Sequence, residues 1–252
     1  MGEKKIGQVN NEGTRLNKYL SDGGFCSRRE ADRLIEAGKV FIDGKPAVMG
    51  QRVFEGQKVT VGTKESVRTV KRQEELVLIA LNKPVGIECT TDKSNPDNIV
   101  DFVEYKSRVF PVGRLDKNSE GLILLTNDGA LADKMMRAAN YHEKEYIVTV
   151  DKKIDSGFIR KMGEGVTLKD EEHGIDTVTR KCFVERISDN KFRIVLTQGI
   201  NRQIRRMCSY FGYNVIKLKR VRIMNIKLDK LPVGKWRMVT THELKELKAM
   251  LK

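Results

Sequence analysis

The amino-acid sequence predicts an α+β protein in which a small N-terminal α/β unit precedes a larger unit with a mixed, mostly antiparallel sheet flanked by helices. Residues 14–61 hold two helical patterns and a short hairpin, whereas residues 62–75 are polar and lack periodicity. Residues 76–252 combine strands and helices without a strict βαβ rhythm. We therefore assign 14–61 to a first domain, 62–75 to a flexible linker and 76–252 to a second domain.

Two helices and a hairpin sheet make up the predicted first domain. Leu16, Tyr19 and Leu20 have helical spacing, and Ser27 with Glu30 has the spacing of a capping box at the start of the next helix. Glycines follow both helical patterns and end them. The segment VFIDGKPAV then predicts two strands joined by a turn, and QKVTV predicts a third strand.

The second domain begins with an apolar strand and continues with helices and strands of ordinary length. Strands are predicted in LVLIALNKP, RVFPVG, GLILLT, EKEYIVTV, TRKCFVERI and KFRIVLTQG, and helices in NIVDFVEY, ALADKMMRAAN and SGFIRKMGEG. An amphipathic helix is predicted after Asn201, since Ile204, Met207, Cys208 and Phe211 share one face. The basic and apolar alternation of NVIKLKRVRIMNIKL changes phase around 219–220, which predicts a bend or bulge.

The charge of the chain favours a polyanionic partner. The formal net charge is +14, and residues 191–252 contain 16 Lys and Arg against 3 Asp and Glu. Nucleic acid is favoured over a membrane surface, because no basic amphipathic helix carries bulky aromatic anchors. No apolar run approaches the 18 residues of a membrane span, and the polar N-terminus does not resemble a signal peptide. We expect a cytoplasmic protein.

Several chemistries lack their motifs. The four cysteines have neither CxxC nor metal-ligand spacing, so we expect reduced thiols. His142, His173 and His242 form no zinc-binding pattern, and no metal is expected. The nucleotide-binding motifs GxGxxG and GxxxxGK[ST] and the GxSxG elbow of serine hydrolases are also missing.

The stretch PVGRLDKNSEGLILLTNDG is the strongest candidate for chemistry. It places Asp116 between the cations Arg114 and Lys117, in a polar segment between two predicted strands. A surface turn with a local ion pair is one interpretation. The other is an active-site loop whose backbone is fixed on both sides by sheet pairing, as a reacting group requires.

The motifs resemble those of two families. RLNKYLSDGGFCSRREADRLIEAGKVFIDG is similar to the S4 RNA-binding module over its whole length. The segments LNKPVGIECTTD, FPVGRLDKNSEGLILLTNDG, HEKEYIVTV and LTQGINRQIRRMCSYFGY resemble the pseudouridine synthases in order and spacing, and specifically the S4-containing branch that acts on ribosomal RNA. The resemblance extends from residue 14 to about residue 240.

This resemblance implies isomerisation of a uridine to pseudouridine without a cofactor, because substrate and product are isomers. The target base must first leave its stack. Asp116 is implied as the catalytic residue, and it either attacks C1′ or C6 or assists proton removal at C2′. Arg205, after the letters QI, is implied as the cation that pairs with Asp116. Tyr146 is implied to stack on the target base or to move a proton, although a packing role is the alternative.

Other basic residues are candidates for RNA contact. Arg114 is expected to enter the RNA stack or touch a phosphate, and simple phosphate binding is the better interpretation for Arg202 and Arg206. The expected RNA-contacting residues of the S4 module are Arg15, Lys18, Ser27, Arg28, Arg29 and Lys39. Backbone contacts are expected from Lys217, Lys219 and Arg220.

The implied partner is large-subunit (23S) ribosomal RNA, with tyrosine tRNA open as a second substrate. We expect a monomer. The alternative from charge and the S4 module alone is a noncatalytic RNA-binding or ribosome-assembly factor, which need not retain Asp116, Tyr146 and Arg205 together.

Overall fold

The structure is a computed structural model that describes residues 12–63, 66–70, 75–137 and 141–251. The chain divides into two compact units between Leu76 and Val77, one residue after the start predicted for the second domain. Within the described ranges, no helix is long and apolar enough to cross a membrane.

The first unit packs two helices against a small sheet. Its helices are α1 Leu16–Asp22 and α2 Arg28–Glu36, and its strands are β1 Thr14–Arg15, β2 Val40–Ile42, β3 Lys45–Pro46, β4 Arg52–Val53, β5 Val59–Thr63 and β6 Ser66–Thr69. The strand order is β3-β2-β5-β6, with β1 paired to β4. Ser27 caps α2 by accepting from the backbone N–H of Glu30, at the position where the sequence predicts a helix start. Leu16, Leu20 and Ala31 are buried between the helices and the sheet.

The predicted flexible linker is in part a strand, which corrects the interpretation of residues 66–69. β6 pairs antiparallel with β5, with Arg68 opposite Val61, and the following Val70 is 5 % exposed in the core of the first unit. The polar composition of this stretch suits an edge strand as well as a linker, so composition did not distinguish them. Residues 64–65 and 71–74 of the predicted linker lie outside the described residues.

The second unit is built on one large mixed sheet. Its strands are β7 Leu78–Lys83, β8 Phe110–Pro111, β9 Glu120–Thr126, β10 Lys144–Val150, β11 Thr167–Asp170, β12 Ile175–Val178, β13 Phe183–Ser188, β14 Lys191–Leu196, β15 Val215–Ile223, β16 Ile226–Lys227 and β17 Trp236–Met238. Its helices are α3 Ile99–Val103, α4 Gly129–Met136, α5 Ser156–Glu164, α6 Gln203–Tyr210 and α7 Thr241–Met250.

The topology confirms the predicted mixed, mostly antiparallel sheet. The strand order is β13-β14-β10-β15-β9-β7-β17, with β16 paired to β15 and β8 to β9, while β11 and β12 form a separate hairpin. Among these neighbours, only β15 and β9 run parallel. One face of the sheet packs against α5 and α6, where Phe158 of α5 contacts Phe192 of β14 and Tyr213. The predicted irregularity of β15 is a register shift between Arg220 and Arg222.

The sequence analysis does not predict the β11–β12 hairpin, β17 or α7. The β11–β12 hairpin is short and largely exposed. Its charged sequence lacks a clear alternation of apolar and polar residues, so the pattern does not indicate strands there. α7 begins with a complete capping box formed by Thr240 and Glu243, so its start could have been found from that spacing.

The two halves of the sheet meet at a glycine. The parallel pairing of β9 with β15 is limited to Lys219 opposite Glu120 and Arg220 opposite Gly121. Gly121 has a φ of +105°, and a Cβ atom there would lie 2.2 Å from the carbonyl oxygen of Arg220. Only glycine permits this approach, which brings β15 against the start of β9.

We predict that Gly121→Ala destabilises the second unit by at least about 3 kcal/mol, because the backbone strain alone costs about 1 to 3 kcal/mol and β15 must also move. Denaturant unfolding measures this loss. The control is Gly174→Ala, where φ is +62° but no atom lies within 4 Å of the added Cβ. Its expected loss is only about 1 to 2 kcal/mol; equal losses at the two positions would show that the close approach is unimportant.

Candidate active site

The polar stretch around Asp116 forms a loop between two strands. β8 ends at Pro111 and β9 begins at Glu120, and we call residues 114–118 the Asp116 loop. All five of its backbone carbonyls accept hydrogen bonds. The donors are Arg220 Nη1 to Arg114 O (3.5 Å), Cys89 Sγ to Leu115 O (3.2 Å), Ser119 N to Asp116 O (3.0 Å), Gly86 N to Lys117 O (2.9 Å) and Arg205 Nη2 to Asn118 O (2.9 Å). Side chains and a neighbouring loop, rather than sheet pairing alone, hold this backbone in place.

Lys83 donates hydrogen bonds to main-chain carbonyls in and near the Asp116 loop. It is the last residue of β7 and is 0 % exposed. Its Nζ donates to the carbonyls of Pro84 (2.9 Å) and Ile87 (2.7 Å), and at 3.5 Å to Lys117 in the Asp116 loop. Burial lowers the pKa of Lys83, and the nearby Asp116 carboxylate opposes that shift. Lys83 is thus a buried cation close to Asp116, and its Nζ donates its hydrogen bonds to main-chain carbonyls.

The carboxylate of Asp116 is left unpaired. Asp116 is half-buried, and within the described part of the chain no cationic side chain lies within 4.0 Å of its oxygens. The predicted ion pair with Arg205 is therefore not formed, which corrects that expectation. Electrostatic attraction still links Asp116 to Arg205 and to Lys83.

Arg205 holds the end of the Asp116 loop. It lies on α6, and its Nη2 donates to Asn118 O (2.9 Å) and to Ser119 Oγ (3.2 Å), while Nη1 donates to Val215 O at 3.1 Å. Burial lowers the pKa of Arg205, and the nearby Arg202 lowers it further. Its buried Nε has no hydrogen-bond partner. The guanidinium thus connects α6 to both β15 and the Asp116 loop. It also interacts electrostatically with Asp116 without forming an ion pair.

Tyr146 lies in the middle of β10, on the face that packs against α6. It is 9 % exposed and belongs to the same core cluster as Leu115 and Ile204. In the sheet it stands opposite Arg220 of β15. Lys144 shares this face, and burial together with the charge of Arg220 lowers the pKa of Lys144.

Arg220 is buried, which contradicts the predicted RNA backbone contact. It is 3 % exposed, and its Nε donates to Leu122 O at 2.6 Å. Its Nη1 reaches Arg114 O in the Asp116 loop, while Nη2 has no partner. The alternation of basic and apolar residues in β15 predicts that Arg220 lies on one face of a strand. It does not show whether other residues bury that face.

Arg206 is also used inside the protein, which contradicts its predicted phosphate contact. It forms an ion pair with Asp170 at the end of β11 and donates to Asn201 O at 2.9 Å. Arg206 first, and His173 second, lower the pKa of Asp170 to about 2. Asp170, Glu172 and His173 lie close enough to resemble a metal-binding group, but the Asp170 carboxylate is already occupied by Arg206.

The remaining basic candidates of the second unit are more accessible. Arg114 and Arg202 are exposed, and Lys219 is half-buried. Lys217 is exposed but forms an ion pair with Glu120 at 3.2 Å. Arg202 precedes α6 with a left-handed backbone, φ +51°. Arg114, Arg202 and Lys219 therefore retain accessible cationic groups on this unit.

The first unit presents a basic cavity of about 350 Å³. It is lined by Gly13, Thr14, Arg15, Asn17, Lys18, Arg28 and Arg52. Three of these, Arg15, Lys18 and Arg28, were predicted to contact RNA, although Lys18 also pairs with Asp22 at 2.5 Å. Arg29 and Lys39 are exposed outside the lining, and Ser27 uses its oxygen to cap α2.

Sequence reasoning did not single out three residues that shape these sites. Lys83 and Cys89 fall in the quoted stretch LNKPVGIECTTD, but a lone lysine and a lone cysteine give no spacing signal. Arg52 lines the basic cavity and donates to the carbonyls of Glu12 and Gly13. It lies outside the helical segment that carried the S4 resemblance.

Comparison with known families identifies both units. Residues 77–210 match the family described as RNA pseudouridylate synthase, and residues 14–62 match the S4 domain. The chain belongs to the RNA pseudouridine synthase family. As a synthase it is an enzyme, which removes the alternative of a noncatalytic binding factor.

Relatives of this synthase are similar over nearly its whole length. It is 54 % identical to the dual-specificity RNA pseudouridine synthase RluF of Salmonella typhi, over 93 % of this chain and 78 % of that protein. It is 34 % identical to the ribosomal large subunit pseudouridine synthase B of Bacillus subtilis, over 94 % of this chain and 96 % of that one. A crystal structure of a pseudouridylate synthase superposes with a TM-score of 0.66 at 26 % identity, covering 93 % of this chain and 100 % of that one.

We predict that Asp170→Asn destabilises the synthase at neutral pH and that this loss shrinks as the pH falls from about 4 towards 2. The folded pKa of about 2 lies below the ordinary value of 3.8, so the folded state binds fewer protons in this range. The stabilisation by the ion pair is therefore complete above pH 3.8 and lost as pH falls through the folded pKa. Urea unfolding of the wild type and the variant from pH 6 downwards measures the difference.

The matched partner variant is Arg206→Ala. The double variant should lose little more than Asp170→Asn alone at pH 6, because that single variant already removes the ion pair with Arg206. A difference between wild type and Asp170→Asn that stays constant with pH would contradict this account of the pair.

Proposed function

We propose that this synthase converts a uridine of large-subunit (23S) ribosomal RNA to pseudouridine, with Asp116 as the catalytic residue. The observation that carries the proposal is the Asp116 loop itself, in which the backbone is held by five carbonyl hydrogen bonds while the carboxylate remains unpaired. Such a group is fixed in direction and keeps its lone pairs available to a substrate. The large-subunit substrate is supported by the similarity to the Bacillus subtilis enzyme of that name.

The reaction breaks the bond between N1 and C1′, turns the base and forms a bond between C5 and C1′. The hydrogen on C5 leaves as a proton and N1 ends protonated, so atoms and electrons balance without a cofactor. Asp116 either attacks C1′ or C6 as a nucleophile or assists removal of the C2′ proton. A carboxylate that already shared its oxygens with a guanidinium would be a weaker nucleophile, and the attraction of Arg205 and Lys83 without direct pairing avoids that loss.

Arg205 and Tyr146 complete the proposed catalytic group. Arg205 donates to Asn118 O and so positions the loop, and it interacts electrostatically with Asp116. Tyr146 offers a largely buried ring in the same core cluster as Leu115, and a pyrimidine held near Asp116 is proposed to stack on it. Its hydroxyl is the candidate for proton movement.

The accessible cations of each unit bind the RNA. Arg114 is exposed at the start of the Asp116 loop and is suited to fill the space left when the uridine leaves its stack. Arg202 and Lys219 are proposed to contact phosphates, as are Arg15, Lys18 and Arg28 around the cavity of the first unit. Arg29 and Lys39 are proposed as weaker phosphate contacts on the first unit, and the ion-paired Lys217 as a weaker contact on the second unit.

A second RNA substrate is part of the proposal. The relatives that are 53 % and 54 % identical are named dual-specificity synthases, which supports two substrates for this chain as well. We propose tyrosine tRNA as the second. All proposed catalytic residues come from one chain, which supports a monomer, and RNA substrates of this kind support a cytoplasmic enzyme.

We predict that Asp116→Asn lowers the rate of pseudouridine formation by about 10⁴-fold or more, because the amide is neither a nucleophile nor a base. Binding of the same RNA should change little, since the loop backbone is held by groups that the substitution leaves in place. Single-turnover assays and filter binding measure the two effects. The exposed Asp133→Asn on α4 is the control and should retain wild-type activity.

Cells that lack the protein should lose pseudouridine at one or a few positions of ribosomal RNA or tRNA, and wild type but not Asp116→Asn should restore them. Restoration by Asp116→Asn would contradict the catalytic assignment. If pseudouridine were lost only from tRNA, the large-subunit substrate would be contradicted, but the proposed reaction would not.

We also predict that replacing both Arg15 and Arg28 by Ala weakens RNA binding and reduces the salt dependence. Each lost phosphate contact lowers the slope of log K against log salt by about 0.7 to 0.9. The exposed Lys58→Ala, outside the cavity lining, is the control. A slope that the double variant leaves unchanged would contradict RNA binding at this cavity.

A further inference from the structure

Cys89 contacts the residue immediately before Asp116 in an unusual way. Its Sγ accepts a hydrogen bond from the backbone N–H of Leu115 at 3.3 Å and donates to the carbonyl of the same residue at 3.2 Å. A paired strand would make the same two bonds with its own N–H and C=O groups. A single side chain therefore takes the place of a strand neighbour at this point of the Asp116 loop.

The chemistry of the thiol suits this dual role. Cys89 is 8 % exposed, and burial raises the pKa of its thiol, partly opposed by the hydrogen bond with Leu115 and the charge of Lys83. The sulfur therefore stays protonated at neutral pH, so it has a hydrogen to donate and lone pairs to accept. A protonated, buried thiol is a poor nucleophile, which excludes direct attack on the substrate.

The segment that carries Cys89 is itself well fixed. The backbone N–H and C=O of the preceding Glu88 pair with Asp97 O and with the N–H of Ile99, both at 2.9 Å. The buried Asn98 caps α3 by accepting from the N–H of Asp101 at 2.8 Å. The thiol is thus supported by a rigid base, and its two bonds can determine the main-chain position of Leu115.

We propose that Cys89 is a positioning residue for the reaction, whose thiol fixes the backbone of Leu115 and thereby aims the adjacent Asp116 carboxylate. It acts through the main chain and does not touch the substrate. The inference rests on the proposed function of Asp116, but its structural part, the restraint on the loop, is measurable without activity.

The test compares Cys89→Ser with Cys89→Ala, because serine keeps a donor and an acceptor whereas alanine has neither. Cys89→Ala should slow the single-turnover rate about tenfold to a hundredfold, the range expected for a misplacement of about 1 Å, with RNA affinity changed by less than about twofold. Cys89→Ser should recover most of the rate. If alanine prevents folding, the isosteric pair Cys89→Thr and Cys89→Val makes the same comparison.

Amide hydrogen exchange in a peptide that covers residues 114–118 provides the independent measurement. Exchange at Leu115 should accelerate in Cys89→Ala and remain close to wild type in Cys89→Ser. The matched control is Cys182→Ala, which removes a thiol that donates to Met162 O at 3.5 Å in the same unit. Both its rate and its exchange in the loop should be unchanged.

The role of Cys89 is overturned if serine and alanine slow the reaction equally, if alanine retains the full rate, or if exchange at Leu115 does not depend on the side chain. Absence of pseudouridine formation by the wild type on every RNA tested would contradict the proposed function instead. The exchange comparison then still decides whether the thiol restrains the loop.

Discussion

All five main-chain carbonyls of the Asp116 loop accept hydrogen bonds, and the rest of the site depends on this constraint. A loop of five residues that leaves regular strand pairing must find partners for its polar groups, because unpaired buried groups are costly. In this protein the partners come from the end of β7, the segment before α3, β15 and α6. The loop of the catalytic candidate is therefore held by three regions of the chain that are far apart in sequence, at residues 83–89, 205 and 220.

The same arrangement explains how the cations Lys83 and Arg205 lie near the Asp116 carboxylate without forming an ion pair with it. Lys83, Arg205 and Arg220 direct their N–H groups to carbonyl oxygens, each of which is a strong acceptor. Their positive charge remains in a region of low dielectric, where it acts over several ångströms. The close approach of β15 to Gly121 contributes to this arrangement, since Arg220 there donates to Arg114 O of the loop at 3.5 Å.

Much of the fold could be predicted from local patterns, whereas contacts between distant residues could not. The glycines after α1 and α2, the cap at Ser27 and the buried strand β9 are encoded within a few residues, and the structure has them as expected. β6 and the β11–β12 hairpin were missed because short, charged edge strands resemble linkers in composition. Asp116 is a candidate because of its position between two strands and the family motif, and its catalytic role stays a prediction.

The errors at the site share one physical origin. A basic residue in a basic, RNA-binding chain was assigned to RNA, but Arg220 and Arg206 are held by partners 98 and 36 residues away. The expected ion pair of Arg205 failed for the same reason, because the motif identifies which cation is near Asp116 but not which acceptors its N–H groups select.

Since the polar groups of the Asp116 loop are satisfied within the free protein, the conformational entropy of this loop is lost when the chain folds and not when RNA arrives. In the proposed reaction, the association free energy is then available for drawing a uridine out of its helix, a step that opposes binding. For the proposed function, a rigid Asp116 loop implies that most of the rearrangement during encounter takes place in the nucleic acid.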